Sequence, residues 1–267
     1  MPFTLAHPAA VIPLARRLGR FAVPSALVIG SISPDLAYLL PMGVSRGGSH
    51  SLAGLFWFCI PAGVGAYLLF HLMLKRPLVS LLPTRIAARV AGVLCAPRRL
   101  PPASWIAVLV SLLIGAVTHL AWDAFTHPDA PGVQAVAVLH ARLFSIGQYP
   151  VHGYKVLQHG STLAGTVLLI GWVWRWLRQA PIHPPDPTLS LSRWRRATAV
   201  TVIVGLPVCA GLASGVLALS YPVTVSALEV SVWRSVVFSL SALGIAILCF
   251  SLVWHLRIRT RHPGKRP

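Results

Sequence analysis

Two carboxylates stand inside apolar stretches of this chain, where charged groups are costly. Asp35 lies in SISPDLAYLL and Asp123 in THLAWDAFTH, although the chain has only 5 acidic residues in all. An Asp at the centre of a membrane helix costs roughly 2.5 kcal/mol or more. Because a bound cation would offset that cost, both carboxylates are candidate metal ligands with a catalytic role.

The second stretch has a spacing suited to metal binding. His119 and Asp123 are four residues apart on a predicted helix, so their side chains share one face. His127 continues that face by another turn, although Pro128 predicts that the helix ends nearby. An imidazole nitrogen and a carboxylate oxygen can then share an ion about 2.0–2.2 Å from each. The HxxxD pattern is common, and its weight here comes from its apolar surroundings.

Structural readings of these residues remain open beside the metal hypothesis. Asp123 could pair with an arginine, or accept hydrogen bonds from Trp and Thr, as polar residues between membrane helices do. Asp35 follows Pro34 and could cap a helix. His7 and His50 could be ordinary surface histidines.

The composition predicts which elements hold these residues. Hydrophobic residues make up 55% of the 267 residues, charged residues 10%, and the mean hydropathy is +0.72. Soluble domains carry roughly a quarter charged residues, so we predict an integral membrane protein. The net charge of +18 comes from basic residues in short loops, without a nucleic-acid-binding motif. The predicted fold class is all-α, a polytopic membrane helix bundle, and nucleic acid is excluded as a partner.

Five apolar runs are long enough to cross a bilayer, which needs about 20 helical residues. We predict them at residues 52–74, 105–126, 161–177, 197–220 and 231–256. The two arms before them, 8–18 and 23–40, are too short or too proline-rich for ideal spans. We expect these arms to form a helical hairpin with a basic tip at 16–20, whose ends, His7 and Asp35, meet again.

The positive charges predict the orientation. Basic residues concentrate in segments 75–104 and 175–196 and in the tail after residue 256, whereas the alternate loops hold few. By the positive-inside rule, the basic loops and the C-terminus face the cytoplasm of a bacterial cell, and the carboxylates lie toward the outer side. We divide the chain into three parts: a metal-site helical membrane domain (1–178), a basic, proline-rich cytoplasmic linker (179–196), and two C-terminal spans with a basic tail (197–267).

Five blocks together resemble a known family. They are MPFTLAHPAA, ALVIGSISPDLAYLL, HSLAGLFWF, GAVTHLAWDAFTH and LQHGSTLAG, and they cover roughly residues 1–175. Their combination resembles an uncharacterised bacterial membrane family, domain-of-unknown-function family 4184, with the last two spans outside the resemblance. That family is similar to predicted membrane-bound metal-dependent hydrolases, and more distantly to zinc-dependent phospholipase C and P1-type nucleases.

The resemblance implies an ordered set of metal ligands. An N-terminal His, an Asp, a His and an HxxxD pair match His7, Asp35, His50, His119 and Asp123. The soluble phospholipases add a further His and an HxxxE pair, and this chain has no Glu in its outer loop. His127 and His159 are our choice for the second group. The resemblance therefore implies one or two divalent ions, with zinc as the expected metal, rather than three.

These expectations lead to a hydrolytic mechanism. Zinc would acidify a bound water toward a pKa of about 7 and polarise a phosphoryl oxygen, while Asp35 or Asp123 ligates the metal and orients the water. Thr118, Thr126 or a loop carbonyl is expected to hold the histidine tautomers. A site at headgroup depth implies membrane lipid as a partner and a phosphoester of a lipid or lipid-linked molecule as the substrate.

Three other functions compete with the hydrolase. A small transporter of ions, protons or metals would also place Asp and His inside the membrane, but on both sides of the midplane. The cytoplasmic halves of the predicted spans hold almost no Asp or Glu, which favours the hydrolase. A bis-histidine haem site would leave Asp35 and Asp123 without a role. A non-catalytic membrane scaffold would bind no metal.

Overall fold

The structure, a computed structural model, describes residues 4–39, 43–94, 102–184, 191–219 and 224–261. Five helices in these ranges are long and apolar enough to cross a membrane, in agreement with the five predicted runs: Leu52–Ser80, Trp105–Asp123, Gly153–Gln179, Arg193–Leu217 and Val225–Arg257. Over the same ranges, the only strands form one two-stranded hairpin. The prediction of an all-α helix bundle is therefore confirmed.

Residues 4–39 fold as the expected helical hairpin. In chain order it contains a 3₁₀ turn (Thr4–Ala6), α1 (Pro8–Leu18), a 3₁₀ turn (Gly19–Phe21), α2 (Pro24–Ile32), a 3₁₀ turn (Ser33–Asp35) and α3 (Leu36–Leu39). Pro8 and Pro24 stand in the first turns of their helices, where the missing N–H costs nothing. The Thr4 hydroxyl donates a 2.6 Å hydrogen bond to the Asp35 carboxylate, so the two ends of the hairpin meet.

The remaining elements alternate long helices with short connecting ones. They are α4 (Arg46–Ser49), α5 (Leu52–Ser80), α6 (Thr84–Leu94), α7 (Pro102–Asp123), α8 (Pro131–Ala135), α9 (Ala137–His140), β1 (Arg142–Ile146), β2 (Tyr149–His152), α10 (Gly153–Gln179), α11 (Arg193–Leu217) and α12 (Val225–Arg261). α10 begins eight residues before the predicted run at 161, because a helix accommodates a polar first turn that a hydropathy pattern excludes.

The chain separates into two compact units. Unit 1 comprises Met1–Tyr67 and Arg99–Arg175, and unit 2 comprises Leu68–Arg98 and Trp176–Pro267. The core of unit 1 includes Leu55, Phe58, Cys59 and Ala116, and that of unit 2 includes Val79, Val90 and Trp254. The division at residues 178 and 196 made from sequence stays a prediction.

Within unit 1, α2 and α7 pack with their backbones in direct contact. A Cβ atom on Gly30 would collide with the main chain of Leu112, and one on Gly115 with the carbonyl oxygen of Leu27. Small residues at such a crossing let two helices approach more closely than larger side chains allow. This close approach is what brings the end of α2 beside the functional residues of α7.

Candidate metal centre

His119 is the central residue of a buried polar cluster in unit 1. It lies on α7 one turn before Asp123, with 0% of its surface exposed against 5% for Asp123. Its Nδ1 is 2.8 Å from the carbonyl oxygen of Ser31, at the end of α2. Because a carbonyl only accepts, Nδ1 carries the proton, and in the neutral ring Nε2 holds the lone pair that can bind a metal.

His50 is held in place by two helix caps. The Ser45 hydroxyl accepts a hydrogen bond from Gly48 N–H at the start of α4, and the Ser51 hydroxyl caps α5 in the same way. A Cβ on Gly54 would collide with the Gly48 carbonyl oxygen, so the two helix starts are in close contact. His50 lies between them, with Nδ1 2.9 Å from the Ser49 hydroxyl.

Each of the two carboxylates has one oxygen engaged and one without a partner. Oδ2 of Asp35 accepts from the Thr4 hydroxyl at 2.6 Å, and Oδ2 of Asp123 accepts from the Arg46 guanidinium at 2.9 Å. The two Oδ1 atoms are buried and have no hydrogen-bond partner among the described residues. Burial alone would raise the pKa of Asp35, but the His50 and His119 rings and Thr4 favour its charged form, and the net shift is downward.

The distances between candidate ligand atoms fit a single small cation. Four ligand atoms arranged tetrahedrally 2.0–2.2 Å from an ion are about 3.4 Å from one another. Nε2 of His50 is 3.2 Å from Oδ1 of Asp35 and 3.5 Å from Oδ2 of Asp123. Nε2 of His119 is 3.6 Å from each of the same two oxygens. These four distances are close to the ligand spacing of a tetrahedral zinc site.

The wider cluster forms two overlapping triads of candidate ligands. Within each triad the ligand atoms lie within 4.8 Å of one another: His7, His119 and Asp123 in one, Asp35, His50 and His119 in the other. Since Ser31 occupies Nδ1 of His119, that ring has one nitrogen left for one ion. His119 can therefore complete only one of two ion sites, and the arrangement fits one ion more directly than two.

His7 lies against the ring of His119. The two ring centroids are 3.8 Å apart with an interplanar angle of 21°, and Nε2 of His7 is 3.8 Å from Oδ1 of Asp123. Burial, followed by the neighbouring His119 ring, lowers the pKa of His7 to about 3. His7 is therefore neutral at pH 7, the state in which an imidazole binds a metal.

His127 is buried beside the triads and belongs to neither of them. α7 ends at Asp123, and the chain turns so that Nδ1 of His127 is 3.2 Å from the Asp123 carbonyl oxygen and 3.5 Å from Oδ2 of that residue. Its Nε2 has no hydrogen-bond partner among the described residues. Burial lowers the pKa of His127 to about 4, which keeps this ring neutral as well.

The structure does not bring His159 into the cluster. It lies on α10 with an exposed side chain, whereas the preceding Gln158 is 5% exposed and donates to the Thr126 carbonyl oxygen at 3.2 Å. Consecutive residues of a helix point about 100° apart, so only one of this pair can face inward. The choice of His159 rested on its place in the family-like block LQHGSTLAG, which lies within α10.

Several structural readings can now be decided. His7 and the His50 side chain are 2% and 8% exposed, so neither is a surface histidine. Asp123 does pair with an arginine, Arg46, while its second oxygen remains unpaired. Of the residues expected to hold histidine tautomers, Thr118 instead donates to the Gly115 carbonyl, and Thr126 lies 3.5 Å from Nδ1 of His127.

Arg46 is a site residue that the sequence reasoning missed. Its guanidinium contacts Asp123, its side chain is 38% exposed, and its Nε is buried with no hydrogen-bond partner in the described chain. Its position in the sequence could have indicated a role, because Arg46 is the one lysine or arginine between the first hairpin and α5. Positive charge in a predicted outer loop is uncommon, and that exception coincides with the cluster.

Comparison with known proteins gives a family without an assigned activity. No curated protein and no solved structure matches the chain. The family model described as Domain of unknown function (DUF4184) matches residues 1–252. The prediction that the last two spans lie outside the family was wrong, because the motifs end near residue 175 while the match continues through most of α12. The chain therefore belongs to the DUF4184 family of domains of unknown function.

Proposed function

We propose that this protein is a membrane-bound, metal-dependent hydrolase acting on a phosphoester of a lipid or lipid-linked substrate. One observation carries the proposal: buried ligand atoms that lack hydrogen-bond partners converge. They are Oδ1 of Asp35, Nε2 of His50 and Nε2 of His119, and Oδ2 of Asp123 lies 3.5 and 3.6 Å from the two Nε2 atoms. Leaving a buried polar atom unpaired costs about 1–3 kcal/mol, and more when it is charged. A divalent cation bound here would satisfy the three unpaired atoms, with Oδ2 of Asp123 as its fourth ligand.

The donor set favours zinc among common cations. Imidazole nitrogen and carboxylate oxygen at tetrahedral spacing are typical zinc ligands, whereas magnesium and calcium prefer oxygen ligands in larger number. A zinc ion bound here would supply an acidified water and polarise a phosphoryl oxygen. Asp35 would bind the ion through Oδ1, because Thr4 holds its Oδ2, and Asp123 would bind it through Oδ2, which Arg46 also holds.

Arg46 supports an anionic substrate. It is the cationic side chain within hydrogen-bond distance of the cluster, and it is partly exposed beside Asp123. A guanidinium recognises phosphate through parallel N–H donors. Since Asp123 already accepts one of them, an incoming phosphoryl oxygen would use donors that remain.

The position of the cluster along α7 supports a surface site over a transport path. Asp123 is the last residue of α7, and His119 is one turn earlier. A path for ions requires polar groups along the depth of the membrane. With the basic loops in the cytoplasm, this end of α7 faces outward, at headgroup depth in a bacterial cytoplasmic membrane.

Metal analysis of purified protein tests the metal centre. We expect more than about half an equivalent of zinc in the wild type, because structural clusters of this kind bind tightly. His119→Ala combined with Asp123→Ala should reduce zinc to background. The matched control is Asp129→Ala with His140→Ala, which removes the same two residue types from exposed positions in the following loop. Equal zinc in all three proteins would end the metal-site proposal.

Activity assays test the hydrolase separately. The zinc-loaded wild type should cleave a chromogenic phosphodiester or a phospholipid in detergent, and the His119→Ala/Asp123→Ala protein should not. Protein that holds zinc but cleaves nothing across a broad phosphoester panel would overturn the hydrolase. Zinc or proton flux in proteoliposomes would then identify a transporter, and no flux would leave a scaffold.

A further inference from the structure

The connection between α7 and α10 exposes many large apolar side chains. Those between 37% and 61% exposed are Phe125, Val136, Val138, Leu143, Phe144, Ile146, Val156 and Leu157. Residues 124–152 contain only two acidic or basic residues other than histidine, Asp129 and Arg142. A water-facing loop of this length is normally polar, so this concentration of exposed apolar side chains indicates an interaction site.

Part of that surface lies on the β-hairpin of this connection. β1 and β2 pair antiparallel around Gly147 and Gln148, and Gly147 has φ of +59° while no described non-glycine residue has positive φ. That combination is typical of a type II′ turn, which matches the twist of the strands. Four of the five β1 side chains are exposed, including Leu143, Phe144 and Ile146.

The location of the connection identifies what covers it. α7 and α10 are both long and apolar enough to cross a membrane, and the connection joins the end of one to the start of the other. It therefore lies at the bilayer surface. The outer edges of a two-stranded hairpin leave backbone N–H and C=O groups unpaired, which excludes the hydrocarbon core. Because its exposed apolar side chains disfavour full exposure to water, headgroup depth is the position that suits both.

Polar side chains near the hairpin have the types found at that depth. The Lys155 ammonium contacts the Tyr149 hydroxyl and lies 4.9 Å from the centre of its ring. Tyr154 stacks on His152, with centroids 5.7 Å apart. Tyrosine and lysine with an apolar body and a polar tip are typical of membrane interfaces.

We propose that the exposed apolar side chains of residues 136–157 form a lipid-binding surface that inserts into the interfacial layer of the leaflet next to the polar cluster. The occupant is phospholipid, whose acyl chains cover the exposed apolar side chains. His127 belongs both to this connection and to the surroundings of Asp123, so lipid bound here lies beside the cluster. The inference needs no metal and no reaction, and it holds or fails independently of the hydrolase.

Fluorescent labelling in vesicles tests this surface. Cys95, Cys209 and Cys249 are replaced by Ala, the buried Cys59 is kept, and Phe144→Cys or Ile146→Cys then carries an environment-sensitive fluorophore. In phosphatidylcholine vesicles, both labels should emit at shorter wavelength and lose at least half their intensity when the acyl chains are brominated. Asp129→Cys, exposed in the same connection, is the matched control and should show neither change.

Two outcomes would overturn the proposal, and a second measurement covers a destabilised background. Labels at Phe144→Cys and Ile146→Cys that are as accessible to water as the label at Asp129→Cys exclude insertion. Labels that are shielded but not quenched by brominated lipid show that protein, such as a second copy of the chain, covers the surface. If the cysteine-replaced protein does not keep the native unfolding midpoint, the comparison is repeated with all native cysteines kept and a fluorinated phenylalanine at position 144. The ¹⁹F signal of that residue must then broaden with paramagnetic lipid.

Discussion

The two compact units use buried polar groups in opposite ways. In unit 1, histidines and carboxylates converge while several of their atoms remain unpaired. In unit 2, described polar groups bind main-chain oxygens within the unit: His255 Nε2 lies 3.0 Å from the Met73 carbonyl, and Arg89 donates to the Ala180 carbonyl at 2.9 Å. In unit 1, buried atoms of His7, Asp35, His50, His119, Asp123 and His127 have no hydrogen-bond partner among the described residues, whereas in unit 2 this is true of the Ser251 hydroxyl.

The polar residues of α11 and α12 in unit 2 contribute to helix packing. Along α11 and α12, Gly211 and Gly215 face Ser235 and Ser239 so closely that a Cβ on either glycine would collide with a serine hydroxyl. The Ser231 hydroxyl donates to the Gly215 carbonyl oxygen at 2.9 Å. Polar residues used in this way join helices and are complete without a ligand. The cluster in unit 1 differs, because several of its buried atoms have no such partner among the described residues.

Removal of the metal should have the largest of the predicted effects, and it should affect unit 1 rather than unit 2. An ion present at about a thousand times its dissociation constant stabilises the folded state by about 4 kcal/mol, which corresponds to a shift of about 10 °C in midpoint. Chelation of the wild type should therefore lower its unfolding midpoint by about that amount and speed hydrogen exchange in α1, α2 and α7, with α11 and α12 unchanged.

The chelation result has its own control. The protein with His119→Ala and Asp123→Ala should have the same midpoint with and without chelator. Equal loss of protection in both units would show that the ion acts on the whole chain rather than on unit 1.

Separating α2 from α7 should weaken the cluster without touching a ligand. Gly30→Val places side-chain atoms against the Leu112 main chain and moves the Ser31 carbonyl away from His119. We expect a loss of about 100-fold in zinc affinity, the upper range for a lost supporting contact, measured by competition with a fluorescent chelator. Gly65→Val on α5, where a Cβ would meet nothing within 4 Å, is the control and should bind zinc normally.

The same kind of change in unit 2 should leave the cluster intact. Gly211→Val forces α11 from α12, and overpacking of this kind costs about 1–3 kcal/mol. Denaturant titration should show the lost stability, while zinc content stays at the wild-type value. A fall in zinc content would mean that the units are not independent in this respect.

The smallest predicted effect concerns one hydrogen bond. Thr4→Val keeps the volume of the side chain but removes the donor to Oδ2 of Asp35. Zinc affinity should fall about tenfold, the lower range for a lost supporting contact, and Thr4→Ser should restore it. Zinc affinity that is unchanged in Thr4→Val would show that Asp35 is positioned by other contacts.

The ligand types were predictable because burial of charge has a clear cost. Asp35 and Asp123 stand out in apolar stretches, and the four-residue spacing places His119 with Asp123 on one face of a helix. The meeting of the two ends of the N-terminal hairpin followed from its length and its basic tip. These inferences use local spacing and composition, which the sequence displays directly.

The contacts that complete the cluster were not predictable in this way. Arg46 and Asp123 are separated by 77 residues, and no local pattern pairs them. The acceptor for His119 is a main-chain oxygen of Ser31, which any residue type would supply. The inward position of Gln158 rather than His159 depends on where α10 begins, and helix ends are set by neighbouring contacts as much as by residue type.

The close crossing of α2 and α7 has a consequence for how the chain is made. α1 and α2 have 11 and 9 residues, well below the length that holds a helix across a bilayer by itself. The surface on which α2 rests is synthesised only after Pro102, when α7 leaves the ribosome. We therefore expect α2 to reach its final position only after α7 has been made and inserted.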